Sequence, residues 1–145
     1  MFSPAHPILV HFPIALLTFG VLAQLIALWR KDFWDQAAFF LLATGFFTGI
    51  LAYISGDGVK HFARNEMGTS AHSIIHTHEN FALATLFLFG AVVFLKLLHR
   101  VKLLPSLTIV VVVLILAGFV TLSITGHYGG KMVYHPEQIK AASSS

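Results

Sequence analysis

Histidine carries the chemistry of this chain: nine occur in 145 residues, and there is no cysteine. The lack of thiols excludes covalent c-type haem, iron–sulfur clusters, thiolate metal sites and disulfides. Imidazole is then the strong ligand that remains for a soft metal or for haem iron. Two histidines stand in matching surroundings. HFPIALLT at 11–18 has a counterpart in HENFALAT at 78–85, so His11, Ala15 and Thr18 match His78, Ala82 and Thr85. Spacings of four and seven stack each triple on one helical face. Each histidine thus heads a groove of small side chains in which a flat porphyrin could lie, and two such imidazoles could reach opposite faces of one iron.

The elements that must hold these residues are membrane spans. A chain that is 57% hydrophobic and 10% charged is too apolar for a soluble domain of this size. Four apolar runs, Ile8 to Trp29, Ala37 to Ser55, Phe81 to Leu98 and Leu104 to Ile124, each approach the roughly 20 residues needed to cross the hydrocarbon core. The expected fold is all-α: a transmembrane four-helix up-down bundle in one domain, residues 1–140, with a disordered tail at 141–145. The longest connection is expected from Gly56 to Ser70. ISGD at 54–57 also matches ITGH at 124–127, and offsets of 67 and 70 residues suggest two hairpins related by a pseudo-twofold axis. No basic segment or cleavage pattern precedes the first run, so that run itself is expected to direct insertion.

Antiparallel spans place His6, His11, His61, His72, His76, His78, His127 and His135 at one end and only His99 at the other. That other end has two tight connections holding Arg30, Lys31, Arg100 and Lys102, with Lys96 one turn inside. The positive-inside tendency makes the basic end cytoplasmic. In a bacterial inner membrane the histidine end and both termini would then be periplasmic.

The candidates differ in context. His11 lies about a turn inside its apolar run, where an imidazole is costly without a partner. His78 opens the third span beside Glu79, which could orient its ring, although an interfacial position in water is an equal reading. His127 lies between Gly126 and Tyr128. His72 and His76 share a face at a metal-ligand spacing, on a polar approach where solvation competes with ligation. His6, before Pro7, could cap the first helix or serve as a ligand. Asp57 matches His127 in the repeat and is either an acceptor for a liganding imidazole or a lone interfacial carboxylate. Gly45 and Gly49 permit close backbone approach, for which ordinary membrane helix packing is sufficient.

HPILVHFPIALL near the N-terminus, GDG after the second span, HENFALAT, and TGHYGGKMVYHP after the fourth together resemble the bacterial membrane-protein family called domain of unknown function 2231. The resemblance covers nearly the whole chain. It implies a four-span protein from a family associated with haem binding and with cytochrome-like modules, without fixing an activity. Many relatives carry an apolar residue where this chain has His127, which argues against a family-wide ligand role for that position and points to a histidine-rich subgroup.

The function expected is that of a b-type cytochrome-like electron carrier, with haem b held noncovalently near the periplasmic face. His11 and His78 are the expected axial pair, His127 with Tyr128 an alternative ligand or hydrogen-bonding support, and Asp57 a tautomer-fixing acceptor. A second pair from His6 and His127 would make two haems. Bis-histidine ligation leaves no open iron position and so favours electron transfer, to a periplasmic cytochrome or a respiratory-chain component, over oxygen chemistry. Two other classes stay open. One is a zinc or copper site built from His11, His78, His127 and His76, with Asp57 nearby. The other is a cofactor-free scaffold whose Gly45/Gly49 seam binds a neighbour or a second copy as a homodimer. Nothing indicates nucleic-acid binding, a phosphate loop or a nucleophile–His–Asp set.

Overall fold

The computed structural model describes the backbone of residues 5–141, and the side chains of these residues apart from 5–8, 57–71, 136 and 140. Helices α1 (Ala5–Ile26), α2 (Lys31–Arg100), α3 (Thr108–Tyr134) and a short α4 (Pro136–Ala141) make up the described chain, with no strand among the described residues. Four segments are long and apolar enough to cross a membrane: Leu9–Ile26, Lys31–Gly56, His72–Arg100 and Thr108–Tyr134. The protein is a multi-pass membrane protein built as a four-helix bundle.

Helix α2 supplies two of the four spans. Arg100 reaches Asp35, Phe46 lies against Gly90, and Tyr53 reaches Glu79. In a straight helix Tyr53 and Glu79 would be about 39 Å apart. The chain therefore doubles back between residues 56 and 72, giving an outward arm (31–56) and a return arm (72–100). The expected loop from Gly56 to Ser70 is instead helical backbone, which keeps its peptide groups hydrogen-bonded through the reversal. Two other boundaries also move outward. The second span starts at Lys31 rather than Ala37, and the fourth continues through the glycine-rich GHYGG to Tyr134. At the basic end, Leu103 N–H donates to Leu98 O and Lys102 N–H to His99 O, with Lys102 at φ 59°. This is a Schellman-type helix stop with lysine at the position glycine usually takes.

The core runs through Leu17, Val21, Leu42, Phe89, Val92, Val111, Ile115 and Leu122. The outer surface is also apolar, with Phe12, Phe19, Phe47, Phe87 and Phe94 all exposed. Helices that are hydrophobic all round belong in lipid. The closest approach is between α1 and the outward arm, where two glycines interlock with two leucines. A Cβ on Gly20 would lie 2.7 Å from Leu42 Cδ2, and one on Gly45 would lie 2.9 Å from Leu17 Cδ2 and 3.1 Å from the Leu17 backbone nitrogen. The GxxxG pair is thus divided: Gly45 packs on α1, whereas Gly49 faces Leu86 and Pro13.

This packing gives a graded expectation. Gly45→Ala should destabilise the bundle by about 1–3 kcal/mol, because the methyl meets backbone as well as side chain. Gly126→Ala, with nothing within 4 Å of the added carbon, should be neutral or gain up to about 1 kcal/mol of helix propensity. Unfolding of both variants by a denaturing detergent provides the comparison, and equal effects would contradict this packing.

Candidate functional site

At the histidine end, the return arm lays His78 against α3. The imidazole Nδ1 is 2.9 Å from Thr125 O. A carbonyl only accepts, so Nδ1 carries the proton, and in the neutral ring Nε2 holds the lone pair. Backbone-carbonyl anchoring of this kind commonly fixes the tautomer of a metal-ligating histidine. Glycine gives the ring room opposite, since a Cβ on Gly129 would lie 3.2 Å from His78 Cε1 and the imidazole would have to shift by a few tenths of an ångström. One residue on from Thr125 and from Gly129 the helix is open, because Cβ atoms on Gly126 and Gly130 would meet nothing within 4 Å. Tyr53 Oη donates to Glu79 Oε1 at 3.4 Å and joins the two arms of α2 beside His78. Above, α4 folds back so that Ile139 packs on Ile75, with Ile74 and Met132 around them.

The matching triples have different surroundings. In α1 the buried residues are Pro13, Leu17, Gly20, Val21, Ala23 and Gln24, while His11 and Ala15 are exposed and Thr18 is half-buried. Below His78, Ala82 is half-buried and Thr85 is buried. The Thr85 hydroxyl is 2.9 Å from Thr121 Oγ1, so this small-residue face is occupied by α3.

Depth also separates the two histidines. Gly49 faces both Pro13 and Leu86, which defines a common layer. His11 precedes Pro13 by two residues and His78 precedes Leu86 by eight, so by helical rise they differ in depth by about 9 Å. His11 and His78 are therefore not brought to one layer, as axial ligands of a single iron would be. His6 is at nearly the depth of His78 by the same count; its side chain, like those of Asp57 and His61, lies outside the described residues.

The other candidates also disperse. His127 is exposed and lies edge-on to Tyr128 at 5.7 Å between ring centres. Two residues from Gly129, it points about 160° away from the side facing His78. His76 pairs with His72, with ring centres 4.4 Å apart, and both are exposed. Among the described residues no three histidine, aspartate or glutamate side chains gather as a metal site.

A second polar centre, at the basic end, went unassembled in the sequence reading. Lys96, 7% exposed, donates to Gln24 Oε1 at 2.6 Å and forms an ion pair with Asp35. Arg100 Nη2 is 3.3 Å from both Asp35 Oδ2 and Asp35 O, and its guanidinium lies 4.4 Å over the Phe39 ring. The cluster ties α1 to both arms of α2. The available signal was Gln24, an uncharged amide in an otherwise apolar run, at the depth where Lys96 also sits a turn inside.

A family model described as a predicted membrane protein matches residues 2–139. No curated protein and no solved structure matches the chain.

Proposed function

The chain belongs to the DUF2231 family of predicted membrane proteins, and from that premise we propose that it binds haem b noncovalently at its histidine end, as a b-type electron carrier with His78 as an iron ligand. The observation supporting this is the Nδ1–H of His78 held on Thr125 O, which directs the basic nitrogen away from α3. The bound haem would supply a reversible one-electron couple. The protein's part is to fix the imidazole tautomer through Thr125, to leave room for the ring at Gly129, and to exclude water with the Ile75–Ile139 cap. His6, at the same depth, is the candidate for the opposite position, in place of the exposed His11.

Purified protein produced with ample haem supply should hold stoichiometric haem that is extracted by organic solvent, as expected without cysteine. Protein free of haem under those conditions would overturn the reading and favour the scaffold class.

The proposal includes orientation. The basic end, with Arg30, Lys31, Arg100 and Lys102, faces the cytoplasm, and the His78 end faces the periplasm. A cysteine at Ser106 should resist an impermeant thiol reagent in intact cells. Labelling there, with none at a cysteine replacing Ser73, would invert the assignment.

A further inference from the structure

We propose that the cleft beside the Lys96–Asp35 pair binds a phosphate-bearing anion, either the headgroup of an anionic phospholipid or free phosphate. The cleft is about 50 Å³, and its lining includes Asp35, Lys96, His99, Arg100, Ser106 and Thr108. Two cations face one carboxylate, and that carboxylate is already held by both of them, so the lining keeps a net positive charge. Arg100 spends only Nη2 on Asp35, which leaves the Nε and Nη1 donors for a ligand. The Phe39 ring fixes the guanidinium plane. Planar, prepositioned guanidinium donors suit phosphate oxygens.

The opposite wall is the start of α3. Ser106 Oγ and Thr108 Oγ1 are 2.9 Å apart, both residues line the cleft, and the N-cap residue Leu107 provides no side-chain cap, so two hydroxyls border the space beside a helix start that lacks a side-chain cap. Exposed Trp29 and Phe33 flank this end, as aromatic residues do at the headgroup level. A lipid phosphodiester and inorganic phosphate present the same oxygens to these donors.

The test titrates the purified full-length protein in neutral detergent with phosphatidylglycerol, with phosphatidylcholine and with inorganic phosphate, following the shift in thermal unfolding. Saturable binding of phosphatidylglycerol or phosphate is expected, with no comparable effect of phosphatidylcholine. Arg100→Gln should weaken it on the order of 10-fold, as loss of a charge-assisted contact does. Lys102→Gln, an exposed cation at the same end, should leave it unchanged. Binding of phosphatidylglycerol alone identifies a lipid site, whereas binding of phosphate identifies the free anion. If Arg100→Gln fails to fold, the exposed pair Ser106→Ala/Thr108→Ala takes its place, with weaker binding expected. The proposal is overturned if neither anion binds, or if Lys102→Gln weakens binding as much as the cleft variants do.

Discussion

Asp35→Ala should be among the most destabilising single substitutions in the chain, at about 2 kcal/mol, and Lys96→Met should cost less. The asymmetry follows from burial. Lys96 is 7% exposed at its side chain and Asp35 is 43% exposed, so deleting the aspartate strands a charge inside the bundle, whereas deleting the lysine leaves a carboxylate that still reaches Arg100. Losing one member of a fully buried pair costs about 3–5 kcal/mol, and the partial exposure of Asp35 sets the lower figure. Lys96→Met removes the donor to buried Gln24, a loss of about 1 kcal/mol. The double variant Asp35→Ala/Lys96→Met should then be more stable than Asp35→Ala alone. Equilibrium unfolding of all three in one detergent decides the matter, and a double variant less stable than both singles would contradict the ion-pair account.

His78→Ala should remove bound haem, whereas His11→Ala should retain it. The pair was equivalent by sequence alone, so the contrast tests the geometry. His78 is anchored through Nδ1 on Thr125 O, while His11 lies on the exposed side of α1 and about 9 Å deeper into the bundle by helical rise. Gly129→Ala is the subtler arm. Its methyl would sit 3.2 Å from His78 Cε1 and displace the ring without deleting a ligand, so it should weaken haem retention while the helix content holds. Haem content and helix content measured on the same preparations check these outcomes. Loss of haem from His11→Ala with retention in His78→Ala would reverse the assignment.

The spans were legible because apolar runs near membrane length have few other uses, and the four runs all became transmembrane helices. Their ends were not legible. Lys31 to Gln36 reads as a polar boundary, yet it is helical because Asp35 is drawn to Lys96, 61 residues later; no local pattern encodes that partner. GHYGG reads as a loop, yet helical packing holds it, and Gly129 is what lets α3 pass His78. Helical spacing correctly put His11, Ala15 and Thr18 on one face but could not say which way it points, because α1 is apolar on every side and a bilayer gives no polar face to mark the outside. The same lack of contrast hid the Gln24–Lys96 contact, whose members read separately as a stray amide and a snorkelling lysine.

The most direct measurement of the central claim is chemical rescue at His78. Oxidised and dithionite-reduced absorption spectra of the wild type should show a low-spin haem, His78→Gly should lose it, and added imidazole should restore it by refilling the vacated ligand position. A wild-type protein without a Soret band, or a His78→Gly protein whose spectrum matches the wild type before imidazole is added, would contradict the assignment of His78 as an iron ligand.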